Sequence, residues 1–147
     1  MDEYRISKLR TYLMNVIDMI TLDTKYQINA DMLSNNIGDY SLDKIPTQIE
    51  VEEWIIGTEI HRDVFSLRSK KAYSQDTINN LKNIGFFEDF EKTIKSNNDN
   101  GILPDINGIE SIKCLNSGTM NSNTTNSANF DIQIEIKFRE NNYNVSL

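Results

Sequence analysis

Between residues 130 and 139 apolar and polar side chains alternate without exception: Phe130, Ile132, Ile134, Ile136 and Phe138 against Asp131, Gln133, Glu135, Lys137 and Arg139. Successive side chains of an extended strand point to opposite faces, so this pattern calls for one buried face and one wet face. Such a strand belongs in an antiparallel sheet that is covered on one side only. Whatever else the chain contains must supply that cover.

Helical patterns elsewhere supply it. Ile6, Leu9, Leu13, Ile17 and Ile20 are spaced three or four residues apart and form one stripe of an amphipathic helix, with charged residues on the other side. In mid-chain, Ser74 is placed to cap a helix over 74–84, with Asp76 near its positive end and Ile78 and Leu81 facing inward. Gly85 is expected to end that helix. Phe87, Phe90 and Ile94 then stripe a following one, whose acids Glu88 and Glu91 pair with Lys92 and Lys95 at i,i+4. The run of Asn97, Asn98, Asp99, Asn100 and Gly101 stops it.

Two further strands, 49–56 and 60–71, are separated by Gly57, Thr58 and Glu59, a spacing that suits a hairpin. In the second, Phe65 and Leu67 share a face with His61 and Asp63, while Val64, Ser66, Arg68 and Lys70 take the other. Trp54 reads as a core or interface anchor. A loop with one short strand near 40–42 is expected between Leu22 and Pro46. Pro104 and the Asn107-Gly108 pair turn the chain into a strand over 109–115. Residues 116–129 contain almost no core-forming side chain and read as a long polar loop that orders only against a partner. The expected fold class is α+β, one domain over residues 1–147: a mostly antiparallel sheet covered by an N-terminal helix and two mid-chain helices.

Charge and missing motifs narrow the function. A formal charge of −7 disfavours binding to a phosphate backbone, so no specific nucleic acid is expected as a partner. The first twenty residues have no uninterrupted apolar core, so neither a signal peptide nor a membrane span is expected, and synthesis is assigned to the cytoplasm. Cys114 is the one cysteine and reads as an inert, buried thiol. His61 is the one histidine, which rules out a two-histidine metal motif. There is no nucleophile elbow, phosphate-binding glycine loop or dinucleotide fingerprint. No catalytic, cofactor-binding or metal-ligating residue is assigned.

The order of elements from about residue 40 to 140 resembles the tail terminator family of long-tailed phages and phage-derived contractile particles, often labelled minor capsid or minor tail proteins. The residues that carry this are a hairpin strand ending in Tyr73, the polar helix from Ser74, and Gly85-Phe86-Phe87 with Phe90. Leu103-Pro104, Gly118 and the alternating strand 130–138 follow in the family's order. Ile84, where a small polar residue is common, and the tail 141–147 depart from it. The resemblance implies a non-enzymatic structural protein that forms a homohexameric ring, caps the tail tube to end its growth, and offers a docking surface for a neck or collar. Its implied partners are its own copies and the tail tube protein, with sheath and neck proteins beyond them. It would assemble in the cytoplasm of a bacterial host and reside in the tail or collar of the mature particle. Arg62, Arg68 and Lys70 are candidates for pairing with acidic neighbours, and Thr119, Met120, Asn123 and Thr125 for ordering at a subunit contact. The alternatives are a neck or head-completion protein and, from a different class, a small hydrolase using acidic residues. Six copies would carry a formal −42, being six times −7, so the sequence alone calls for assembly that strengthens as salt screens repulsion.

Overall fold

The computed structural model describes residues 4–20, 28–30, 39–46, 52–55, 58–72, 77–116, 118–123 and 127–141. In chain order the elements are α1 (Arg5–Ile20), β1 (Ile28–Ala30), β2 (Tyr40–Ile45), β3 (Glu52–Ile55), β4 (Thr58–Ala72), α2 (Thr77–Asp99), β5 (Ile109–Cys114), β6 (Thr119–Asn123) and β7 (Ser127–Asn141). The alternation at 130–138 is the middle of β7, which pairs antiparallel with β4 along its whole length, from Thr58 opposite Asn141 to Ala72 opposite Ser127. These two long strands form the spine of an α+β fold. On the far side of β4 lie β2, with β1 parallel to it, and the short β3; on the far side of β7 lie β5 and β6. Every pairing apart from β1 with β2 is antiparallel.

Paired residues share a face, so the register extends the sequence pattern across the sheet. Phe65 lies opposite Ile134, Leu67 opposite Ile132, Leu42 opposite Leu67 and Ile112 opposite Ile136. Both helices pack on this face. Leu9, Leu13 and Ile17 of α1 and Phe90 and Ile94 of α2 join those strand residues in one buried core. The predicted α1 stripe holds, with Tyr12 and Val16 buried beside it. The Tyr12 hydroxyl ties the helical layer together: it donates to the Ile102 carbonyl at 2.8 Å and accepts from Asn97 Nδ2 at 3.1 Å. Burial pushes the Tyr12 hydroxyl above the usual phenol range.

Two expectations need correction. The two mid-chain helices are one, α2, which runs through Gly85 without a break. The glycine lowers local helix propensity by only about 1 kcal/mol, whereas Phe86, Phe87, Phe90 and Ile94 each have sheet or helix to pack on when the helix continues. Its predicted cap, Ser74, lies outside the described residues, as do Tyr73, Gly57 and the side chains of Trp54, Ile78 and Leu81. A Cβ built on Gly85 meets nothing within 4 Å. Gly85→Ala should therefore stabilise the protein by about 0.5–1 kcal/mol in denaturant unfolding; a loss of stability would restore the break. The second correction concerns 116–129, where residues 119–123 form β6 and pair with β7, Thr119 opposite Asp131 and Asn123 opposite Ala128. A strand held by backbone hydrogen bonds does not need apolar side chains of its own.

The end of α2 is as predicted. Gly101 adopts φ 73°, Ile102 N–H donates to Asn97 C=O at 2.8 Å and Gly101 N–H to Asn98 C=O at 3.2 Å, which satisfies the last carbonyls of the helix. Lys95 pairs with Asp99 at 3.1 Å rather than with Glu91. Gly118 sits where Phe87 packs: a Cβ there would lie 2.5 Å from the Phe87 ring. Phe87 in turn stacks near Phe130, with ring centroids 5.1 Å apart.

Candidate assembly surface

With both helices on one face of the sheet, the opposite face is carried by the polar half of the strand alternation. Its rows run Ser41 opposite Arg68, Arg68 opposite Asp131 and Asp131 opposite Thr119; then Val64 opposite Glu135 and Glu135 opposite Lys113. Three of the candidate contact residues, Arg62, Arg68 and Lys70, fall on this face as the alternation predicts. Arg68, Lys70 and β6 occupy one end of it, while Arg62 lies six residues along β4, about 20 Å away at the usual strand rise. Thr119 lies opposite Asp131, Met120 opposite Phe130 and Asn123 opposite Ala128, but their side chains, and all of Thr125, lie outside the described residues.

The face is not simply wet. Glu135, expected to be solvated, is 4% exposed, and Val64, Ser66 and Ser41 are buried beside it. A carboxylate at that depth needs cations. Arg62 Nε donates to Glu135 Oε2, and Lys113 Nζ stands 3.6 Å from Oε1, which is buried and accepts no hydrogen bond. Further along, Arg68 Nε donates to Asp43, Ser41 Oγ donates to Asp43 Oδ1 at 2.8 Å, and Ser66 Oγ donates to Asp131. Arg139 pairs with Glu110 at 2.8 Å. Arg62 and Arg68 thus already hold carboxylates of their own chain. Among the described residues Lys70 and Lys137 have no ion-pair partner, and Lys137 stands directly across from Arg62.

These pairs are layered. The cation is more exposed than its carboxylate in all four: 23% against 4% for Arg62 and Glu135, 36% against 19% for Arg68 and Asp43, 59% against 4% for Lys113 and Glu135, and 51% against 38% for Arg139 and Glu110. Acids lie beneath and bases on top. Arg62→Ala should cost about 2–3 kcal/mol by chemical denaturation, because it strips Glu135 of its hydrogen-bonded cation, and Arg62→Ala with Glu135→Leu should recover most of that loss. A single-mutant loss below about 0.5 kcal/mol would mean that Lys113 alone neutralises Glu135.

The remaining chemistry-bearing residues lie elsewhere. His61 Nε2 faces two carboxylates, Glu140 at 2.9 Å and Glu59 at 3.1 Å, and its ring stacks on Phe138. Glu59 and Glu140 are direct cross-strand partners, so the imidazole sits where two like charges meet. Arg5 lies over the other ring neighbour, 4.4 Å from the Phe138 centroid, and pairs with Asp63 at 2.9 Å. Among the described residues no group of three or more His, Cys, Asp or Glu side chains is placed to hold a metal ion. Cys114 is partly buried against the core at the β5 edge, and burial, with Glu91 nearby, pushes its thiol up to about 12. Such a thiol holds its proton at neutral pH and is a poor nucleophile. A groove of about 530 Å³ separates β5 from α2, and Asn98 Oδ1 crosses it to accept the outward-facing Ile112 N–H at 2.9 Å. No described helix is long and apolar enough to cross a membrane.

Sequence spacing could not have found the pairs of this face. Arg68 and Asp43 are 25 residues apart and Arg62 and Glu135 are 73 apart, and only the registers of β2, β4 and β7 bring them together. No protein-family model matches the chain, and no curated protein matches it.

Proposed function

We propose that this chain is a tail terminator or collar protein, whose copies form a homohexameric ring that caps a phage-type tail tube, ends its growth and offers a surface to the neck or collar. The observation that carries the reading is the ordered series of family motifs at Leu103-Pro104, Gly118 and the alternating strand, on an α+β fold whose described helices both lie on one sheet face. Ring subunits need two different contact surfaces each, and a sheet with one face free of described helices and different strands at its two edges offers them. One family feature differs: Gly85-Phe86-Phe87 lies inside α2 rather than at a helix boundary. The tail tube protein is the proposed partner, with sheath and neck proteins beyond it, and the tail or collar of a particle assembled in a bacterial host is the proposed location.

Electron microscopy of particles made with and without the chain tests this. Without it, tubes should run beyond their normal length and lack collars. Tails of normal length with intact collars in its absence would remove the terminator assignment.

A further inference from the structure

We infer that the sheet face that carries no described helix is an electrostatic docking surface for a second copy of this chain, and that it receives the acidic patch Glu88, Asp89 and Glu91 on α2 of that copy. The inference deepens the ring reading and rests on it for the geometry of assembly.

Charge placement distinguishes this face from the rest of the molecule. On strands β2, β4, β5 and β7 the face carries six cations, Arg62, Arg68, Lys70, Lys113, Lys137 and Arg139. Against them stand five carboxylates, Asp43, Glu110, Asp131 and Glu135 with Glu52 of β3 opposite Ile60, an excess of one positive charge on a chain whose total is −7. The rest of the chain therefore carries −8. The layering of the ion pairs sharpens the contrast, since Asp43, Glu110 and Glu135 lie under their cations and an approaching molecule meets those cations first. Lys137 stands directly opposite Arg62, whose charge Glu135 already offsets, so Lys137 is the cation of that row open to an incoming anion.

The complementary surface lies on the other side of the molecule. Phe87 and Phe90 turn inward from α2, so Glu88 and Asp89 point outward and are exposed, with Glu91 partly so and Lys92 the one cation in that turn. A cationic face does not complement itself. The contact consequently joins two different surfaces, which is heterologous association and closes into a ring when the rotation between copies permits. It also reverses the salt dependence that net charge alone predicts: association through complementary patches weakens as salt screens them.

The test is self-association of the full chain, measured by sedimentation velocity over a protein dilution series from about 50 to about 500 mM NaCl, where the Debye length falls below about 5 Å. Lys70→Gln with Lys137→Gln neutralises two cations that hold no ion-pair partner among the described residues, so folding should be unaffected and circular dichroism verifies it. Each such pair of charges is worth about 1.4 kcal/mol, so that variant and the reciprocal Glu88→Gln with Asp89→Asn should each weaken association about tenfold at low salt. Recovery when Lys70→Glu/Lys137→Glu copies are mixed with Glu88→Lys/Asp89→Lys copies would establish the pairing. A wild-type hexamer that both neutralised variants form equally well, or that tightens with salt, overturns the docking surface and leaves the ring reading standing. A wild-type chain that stays monomeric throughout also overturns it, while tail length decides the ring reading separately. Binding of a fluorescent DNA duplex at the same salt in place of self-association would overturn it in favour of a nucleic-acid surface.

Discussion

Gly108→Ala should unfold this protein or cost it at least about 4 kcal/mol, the largest effect expected of a methyl group added at any described glycine. Gly108 has φ 78°, and a Cβ built there lies 2.1 Å from the backbone oxygen of Arg139 and 3.1 Å from its carbonyl carbon. Backbone cannot rotate away as a side chain can. The same glycine accepts the Arg139 N–H at 2.6 Å, which starts the β5 to β7 pairing, so any movement that relieves the clash also opens that ladder. Gly101 supplies the control: its φ of 73° is equally left-handed, yet nothing lies within 4 Å of its built Cβ. Gly101→Ala should lose only the left-handed strain, about 1 kcal/mol. Urea unfolding of both variants separates strain from collision, and equal losses would show that the close approach to Arg139 is relieved at no cost.

That turn was readable from Asn107-Gly108, but its tightness was not, and the contrast holds across the molecule. Where period determines structure, the sequence sufficed: the α1 stripe, the two faces of β4, the alternation in β7 and the asparagine-rich end of α2 all hold. Each depends on local spacing. Where structure depends on a distant partner, spacing carried no signal. β1 has three residues and exists because Ile28 to Ala30 lie parallel to Tyr40 to Leu42. β6 exists because β7 extends past its alternating core and offers backbone groups to pair. Gly85 was read by its local propensity, which the packing of Phe86, Phe87 and Phe90 outweighs. The candidate surface divides the same way. Alternation placed Arg62, Arg68 and Lys70 on one face, while the carboxylates of the two arginines, and the depth of Glu135, required three strand registers at once.

Ile134→Asp should cost about 4–5 kcal/mol without straining the backbone, and the neighbouring Glu135 explains why. Both positions are buried, at 0% and 4% exposure, and they are adjacent on β7, so burial alone does not distinguish them. Their faces do. Glu135 lies under Arg62 and Lys113, whereas Ile134 lies between Phe65 and Cys114 in the register and inside the apolar core. An aspartate there would be desolvated with no cation in reach, which raises its pKa above the ordinary 3.9 or so. The unfolded chain ionises first as pH rises, so the penalty grows above about pH 4 and levels off only once the pH passes the folded-state pKa. The defect of Ile134→Asp relative to wild type should therefore shrink as pH falls toward 4. Ile132→Asp, also at 0% exposure and opposite Leu67, should behave alike. Gln133→Glu, between them but on the cationic face, should change stability by less than about 0.5 kcal/mol. Melting temperatures of the three variants at pH 4.5 and 7.5 check this, and a large loss at Gln133→Glu would mean that the two faces of β7 are assigned the wrong way round.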